Sequence, residues 1–155
     1  MDDVLGRLRD VATARIERPL KAREAAELVR QARSYRWVGL YDVSSSEIAA
    51  IAWTGTTAPA YPRFPVTQGL SGAAVATRQP VIVQDVTQDS RYLTAFGSTR
   101  SEAIFPVAVS ENGRIVGTID VESDRVNAFS AEDEAFLGRC AQILIPIWIQ
   151  AETPP

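Results

Sequence analysis

Between Ala103 and Ser123 the chain reads AIFPVAV, then Glu111-Asn112-Gly113, then RIVGTIDVES. An Asn-Gly pair between two runs rich in β-branched residues dictates a reversal. The tight hairpin turn needs positive φ, which Asn and Gly tolerate best. The two runs are therefore expected as antiparallel neighbours. An earlier stretch repeats the pattern: WVGLYDV, the turn Ser44-Ser45-Ser46, and EIAAIAWTG.

Helical patterns flank these hairpins. Val4, Leu8, Val11 and Ala12 recur at helical spacing within residues 3–16. Pro19 interrupts that helix. A second runs from about residue 20 to 32, with Ala25, Leu28, Val29 and Ala32 on one side. TTAPAYPRFPVTQG holds Pro59, Pro62 and Pro65 and reads as loop or edge strand. LSGAAVATRQ reads as a short helix, VIVQDV as a strand, and TQDSRYLTAFGSTRS as a long loop. A last helix begins at Ser130, which with Asp133 resembles a capping box. Phe136, Cys140, Ile143 and Ile147 line its apolar stripe, widened by Leu137, Leu144 and Trp148. Pro146 is expected to kink its end. The order predicts an α+β fold: a central antiparallel sheet, with N- and C-terminal helices on one face and ligand-pocket loops on the other. The expected division is an N-terminal helix (1–19), one domain (20–150) and a disordered tail (151–155).

Asp120 and Glu122 lie two apart in IVGTIDVES, so they share one strand face with Val116 and Thr118. Ile115, Ile119 and Val121 on the other face supply the core. Acids on a half-apolar face either stand in solvent or hold a cationic group or a proton. Glu102 alone reads as an acid at a loop edge.

The chemistry these acids can join is narrow. The 155 residues include no His and one Cys, which excludes Ser-His-Asp and Cys-His catalysis, HExxH zinc sites and thiolate zinc clusters. No Gly-rich phosphate loop is present, so no cofactor is implied. A carboxylate magnesium site is the metal chemistry left open. The net charge of −3 and scattered arginines argue against nucleic acid. The run ILIPIWI is too short for the roughly 20 residues of a membrane span. The charged opening MDDVLGRLRD does not read as a secretory leader, and a lone Cys forms no internal disulfide. The expected location is cytoplasmic.

Several segments together resemble a GAF domain, and within that superfamily the free methionine-(R)-sulfoxide reductases. They are WVGLYDV, PVTQGLSGAAVATRQPVIVQDV, TRSEAIFPVAV, GRIVGTIDVES and AFSAEDEAFL, covering roughly residues 20–148. The resemblance implies that Glu102, Asp120 and Glu122, the last as Glu in place of the family's Asp, correspond to the carboxylates that bind the amine of free methionine sulfoxide. It also aligns the family's three active-site cysteines with Tyr61, Ser71 and Ala95, none of which is Cys. Sulfoxide reduction needs a thiolate to attack sulfur and a second thiol to resolve the product. The expectation is therefore a stand-alone small-molecule-binding domain, a sensor or pseudoenzyme. The alternatives are a sulfoxide reductase-like oxidoreductase and a ligand-free signalling or dimerisation module.

The remaining candidates have structural and functional readings side by side. Arg100 either pairs with one of the acids or assists binding. Trp53 and Tyr61 either pack or form an aromatic wall of the pocket. Ser71 either caps the short helix or lies at the ligand, whose anionic end would meet backbone amides from Leu70 to Ala73. Ala95 enters by its alignment alone. Cys140 reads as a buried core thiol. The broad stripe of the last helix leads to an expected homodimer through the terminal helices.

Overall fold

A computed structural model of the chain describes residues 2–55, 57–94, 96–109 and 113–149. Its elements are α1 (Asp2–Thr13), α2 (Arg18–Ala32), β1 (Trp37–Val43), β2 (Glu47–Thr54), β3 (Arg63–Pro65), α3 (Gly69–Thr77), β4 (Val81–Val83), β5 (Ser101–Ala108), β6 (Ile115–Ser123) and α4 (Ala131–Ile143). Short 3₁₀ turns follow β4 at Val86–Gln88 and α4 at Ile145–Ile147. One six-stranded sheet runs β3-β2-β1-β6-β5-β4, and every pairing in it is antiparallel.

Both expected hairpins form. Glu111 and Asn112 lie outside the described residues. Beside them Gly113 has φ +67, and the Gly113 and Val109 N–H groups donate to the Val109 and Arg114 carbonyls. Residues 63–65 are the expected edge strand. The VIVQDV strand stops at Val83, because Asp85 caps a 3₁₀ turn by accepting from the Thr87 N–H at 3.0 Å. Pro19 sits in the first turn of α2, where its missing N–H costs nothing. The first helix ends at Thr13, short of the expected residue 16.

Helices α1, α2 and α4 cover one face. Alternation along the strands sends Val38 and Leu40, Ala103, Phe105 and Val107, and Ile119 and Val121 to that side. They meet Leu5 and Leu8 of α1, Ala22, Ala25, Ala26 and Val29 of α2, and Phe136, Leu137 and Cys140 of α4. The first helix is thus part of the same core. The alanines of α2 keep its backbone close to the sheet. The α4 stripe is largely used inside the chain: Leu137, Cys140 and Leu144 are fully buried. Trp148 lies against Gly117, where an added Cβ would fall 2.0 Å from its Nε1. That Nε1–H donates to the Tyr41 carbonyl at 3.0 Å.

Two bulges modify the alternation. Ala52 and Ala50 face Leu40 and Tyr41, leaving Ile51 extra; Gly117 and Ile115 face Val107 and Ala108, leaving Val116 extra. Both extra residues pack against the helix-side core. Val116 therefore does not share the Asp120 face, as strict alternation had placed it.

Polar contacts secure the helix layer. Ser130 and Asp133 make the expected capping box on α4. Asp133 also accepts from the Tyr35 hydroxyl at 2.6 Å and from Arg33 Nε at 2.5 Å. Burial alone would raise its carboxyl. The Tyr35 hydroxyl, the Ser130 N–H and hydroxyl, and Arg33 outweigh that and hold it at about 2. Among the described residues no helix is long and apolar enough to cross a membrane.

Candidate functional site

The other sheet face carries the acids. β6 turns Thr118, Asp120 and Glu122 to this side, and the register places Glu102 of β5 directly opposite Glu122. Oxygens from Glu102, Asp120 and Glu122 all lie within 4.8 Å of one another. The residues are 6%, 6% and 1% exposed. Three carboxylates this close and dry form one electrostatic unit able to share a single cationic group.

β1 supplies the adjoining wall. Its register sets Gly39 beside Asp120, Tyr41 beside Thr118 and Trp37 beside Glu122. Trp37 and Tyr41 flank Gly39, where a Cβ would meet the Trp37 ring at 2.4 Å. Only glycine leaves room there for both rings. Tyr41 is buried against the acids. Burial first, then the Asp120, Glu122 and Glu102 charges, raise its phenol well above the ordinary value.

The roof comes from α3 and two loops. Tyr41, Pro59, Tyr61, Phe64, Gly69, Leu70, Ser71, Leu93, Glu102 and Asp120 line a cavity of about 30 Å³, room for about one water. Glu102, Asp120, Tyr61, Leu70 and Ser71 thus line one cavity, whereas Glu122 is not in its lining. Tyr61 stands at the mouth, 46% exposed. Ala95 lies outside the described residues. Trp53 is not in the lining; it packs at the edge of the Trp37, Tyr41 and Ile48 cluster.

Two local expectations change. Ser71 is not the helix cap: α3 begins after Gln68, without a side-chain cap, and Ser71 is buried in its first turn. Gly69, with φ +73, admits the sharp entry of the chain. Arg100 pairs with none of the three acids. Its Nη1 donates to the carbonyls of Gly97 at 3.3 Å and Thr99 at 3.2 Å.

Thr99 and Tyr41 are site residues that the sequence pattern did not single out. The Thr99 hydroxyl donates to Glu122 Oε1 at 2.9 Å, fixing the carboxylate orientation. Glu122 Oε2 and Asp120 Oδ1 are buried and have no hydrogen-bond partner. The acid carboxyls are raised above their ordinary range. For Asp120 burial dominates, partly offset by the neighbouring Glu102 carboxyl, and places it at about 7. Glu102 and Glu122 are raised by burial first and the Asp120 charge second. Cys140 lies on the opposite side of the sheet, in the helix-side core, and burial pushes its thiol up to about 12.

An antiparallel sheet backed by helices on one face, with loops roofing a small cavity on the other, defines an α+β domain. The chain belongs to the GAF domain family, whose profile matches residues 22–144. Protein YtsP of Bacillus subtilis is 27% identical over 123 residues, covering 79% of this chain and 74% of that protein. The type II free methionine-R-sulfoxide reductase from Thermoplasma acidophilum superposes with a TM-score of 0.77 at 29% identity, covering 90% of this chain and 94% of that one. The free methionine-R-sulfoxide reductase from Neisseria meningitidis, solved in complex with its substrate, superposes at 0.84 with 27% identity, covering 95% and 87%.

Proposed function

We propose that this GAF domain binds the ammonium group of a free amino acid or a close derivative, and acts as a sensor rather than a reductase. The observation that carries this reading is the pair of buried, partnerless oxygens, Asp120 Oδ1 and Glu122 Oε2. Leaving a polar atom buried and unpaired costs roughly 1–3 kcal/mol. An ammonium offers three N–H donors and a positive charge, so it relieves both deficits.

The remaining walls suit the rest of such a ligand. The uncapped first turn of α3, at Gly69, Leu70 and Ser71, supports contact with a carboxylate or sulfinyl oxygen through backbone N–H groups. Leu70, Leu93 and Phe64 offer apolar surface to a side chain. The cavity is smaller than an amino acid, so its lining must rearrange on entry. The similarity to proteins named as free methionine-R-sulfoxide reductases favours the same ligand class.

Turnover is a different matter. Thiol-based reduction needs a nucleophilic and a resolving thiol. The chain's one thiol, Cys140, is fully buried beneath the sheet face opposite the acids. Tyr61 and Ser71 occupy the cavity wall, and neither forms a disulfide.

Calorimetric titration with free L-methionine, L-methionine-R-sulfoxide and a panel of other amino acids tests the reading. Binding is expected for at least one, and lost in Asp120→Asn and Glu122→Gln with the fold intact by circular dichroism. Normal binding by both variants overturns the carboxylate account. Thioredoxin-coupled turnover of methionine-R-sulfoxide above background overturns the non-catalytic assignment.

A further inference from the structure

The acid cluster lacks a counter-charge. Among the described residues, the ion pairs involve none of Glu102, Asp120 and Glu122. The groups around them are neutral: Tyr41 from β1, Thr99 from the loop before β5, Ser71 from α3, and Tyr61 from the roof. Three arginines on neighbouring elements are engaged elsewhere. Arg100 turns to the Gly97 and Thr99 carbonyls, Arg63 to Glu47 and Arg91 to Asp89.

Three adjacent, desolvated negative charges are not a stable arrangement. The oxygens of Glu102, Asp120 and Glu122 lie within 4.8 Å of one another, and buried carboxyls this close do not all ionise together. The ligand-free cluster is therefore proton-loaded, as the two carboxyls of an aspartic-protease dyad share a proton for the same reason.

We propose that ligand uptake at this site is coupled to proton release: the arriving ammonium replaces protons held among Glu102, Asp120 and Glu122, so affinity rises with pH through neutrality. The inference rests on the ammonium reading given above and adds its regulation. The ligand keeps its own proton, while at least one carboxyl gives its proton to solvent. Charge balances because the ammonium takes over the stabilising role of the departing proton. The placement of Asp120 at about 7 puts this exchange within the near-neutral range. Such a domain reads the ligand and the pH together.

Two measurements on the full chain test this. The first titrates L-methionine and L-methionine-R-sulfoxide into weakly buffered protein containing bromocresol purple, an indicator that responds near pH 6. 3-Methylthiopropionate, which lacks the ammonium, is the control. One proton passing from acid to solvent predicts affinity about ten-fold higher at about pH 8 than at about pH 6. It also predicts about one proton released per ligand bound near pH 6, and none with the control. Equal affinity at both pH values without proton release overturns the proposal and leaves the ammonium reading standing. Absence of binding by every amino acid overturns the ammonium reading and, with it, the ligand coupling.

The second measurement needs no ligand. Carbon-13 carboxyl resonances of labelled protein should include at least one with a midpoint above about pH 6, lost in Asp120→Asn. If every carboxyl titrates within the ordinary range of about 4, the proposal is overturned whatever the ligand does.

Discussion

The two faces of the sheet answer opposite demands. Toward the helices, β1, β5 and β6 present Val38, Leu40, Phe105, Val107, Ile119 and Val121, which interlock with three helices and leave little unpaired. Toward the loops, the same strands present Glu102, Tyr41, Asp120 and Glu122, with two carboxylate oxygens lacking partners. A single residue of displacement along β6 exchanges one set for the other. The contrast teaches where the stability and the function of this domain reside. The helix face contributes hydrophobic burial. The loop face gives up stability by burying acids without a counter-charge, the arrangement on which the proposed ammonium site rests.

The sharpest way to break the comparison is to damage the helix face. Leu137→Ala removes a fully buried α4 side chain and should cost about 2–5 kcal/mol in urea denaturation. A loss under 1 kcal/mol would show that the helix layer is not the stabilising side. The opposite sign is expected on the loop face. Asp120→Asn should gain about 1–3 kcal/mol at about pH 8, because it removes a buried charge. The folded Asp120 carboxyl binds its proton more tightly than the unfolded one. Wild-type stability therefore falls as pH rises from about 4 through about 7, and the substitution should flatten that decline. A stability profile unchanged by the substitution would contradict the buried-charge account.

Smaller effects refine the picture. Asp133→Ala breaks the α4 cap together with the Tyr35 and Arg33 contacts, and should cost about 1–2 kcal/mol at neutral pH. Its depressed carboxyl has the opposite linkage: the stability it adds is present above about pH 4 and lost as pH falls toward about 2. Thermal melts at neutral and acid pH should therefore converge for wild type and variant as the acid limit is approached. The least effect on stability is expected of Thr99→Val, about 1 kcal/mol, since it removes one donor to Glu122 Oε1. Ligand affinity should fall nonetheless, because the Glu122 carboxylate loses its fixed orientation. Unchanged calorimetric affinity would reduce Thr99 to a structural contact.

Much of this was legible along the chain. Hydrophobic period, Asn112-Gly113 and the Ser130–Asp133 spacing are local signals, and they located both hairpins and the last helix. The parity of Asp120 and Glu122 is local too. The resemblance to GAF sequences supplied Glu102. Strand parity within WVGLYDV already puts Trp37, Gly39 and Tyr41 on one face, yet nothing in it says which strand lies alongside. The misplacement of Val116 has the same root: a bulge is defined by the partner strand, not by its own sequence.

The sequence by itself determined which segments are strands and helices, which acids share a strand face, and that only one thiol exists. Those properties follow from side-chain type and short-range spacing. The tertiary structure decided that Glu102 opposes Glu122, that Tyr41 closes the wall, that Thr99 orients a carboxylate, and that Arg100 turns away. Each of these depends on register and packing between residues distant in the chain. Burial, which raises the acids, is likewise a property of the assembled fold, because it depends on which side chains exclude water from the carboxylates.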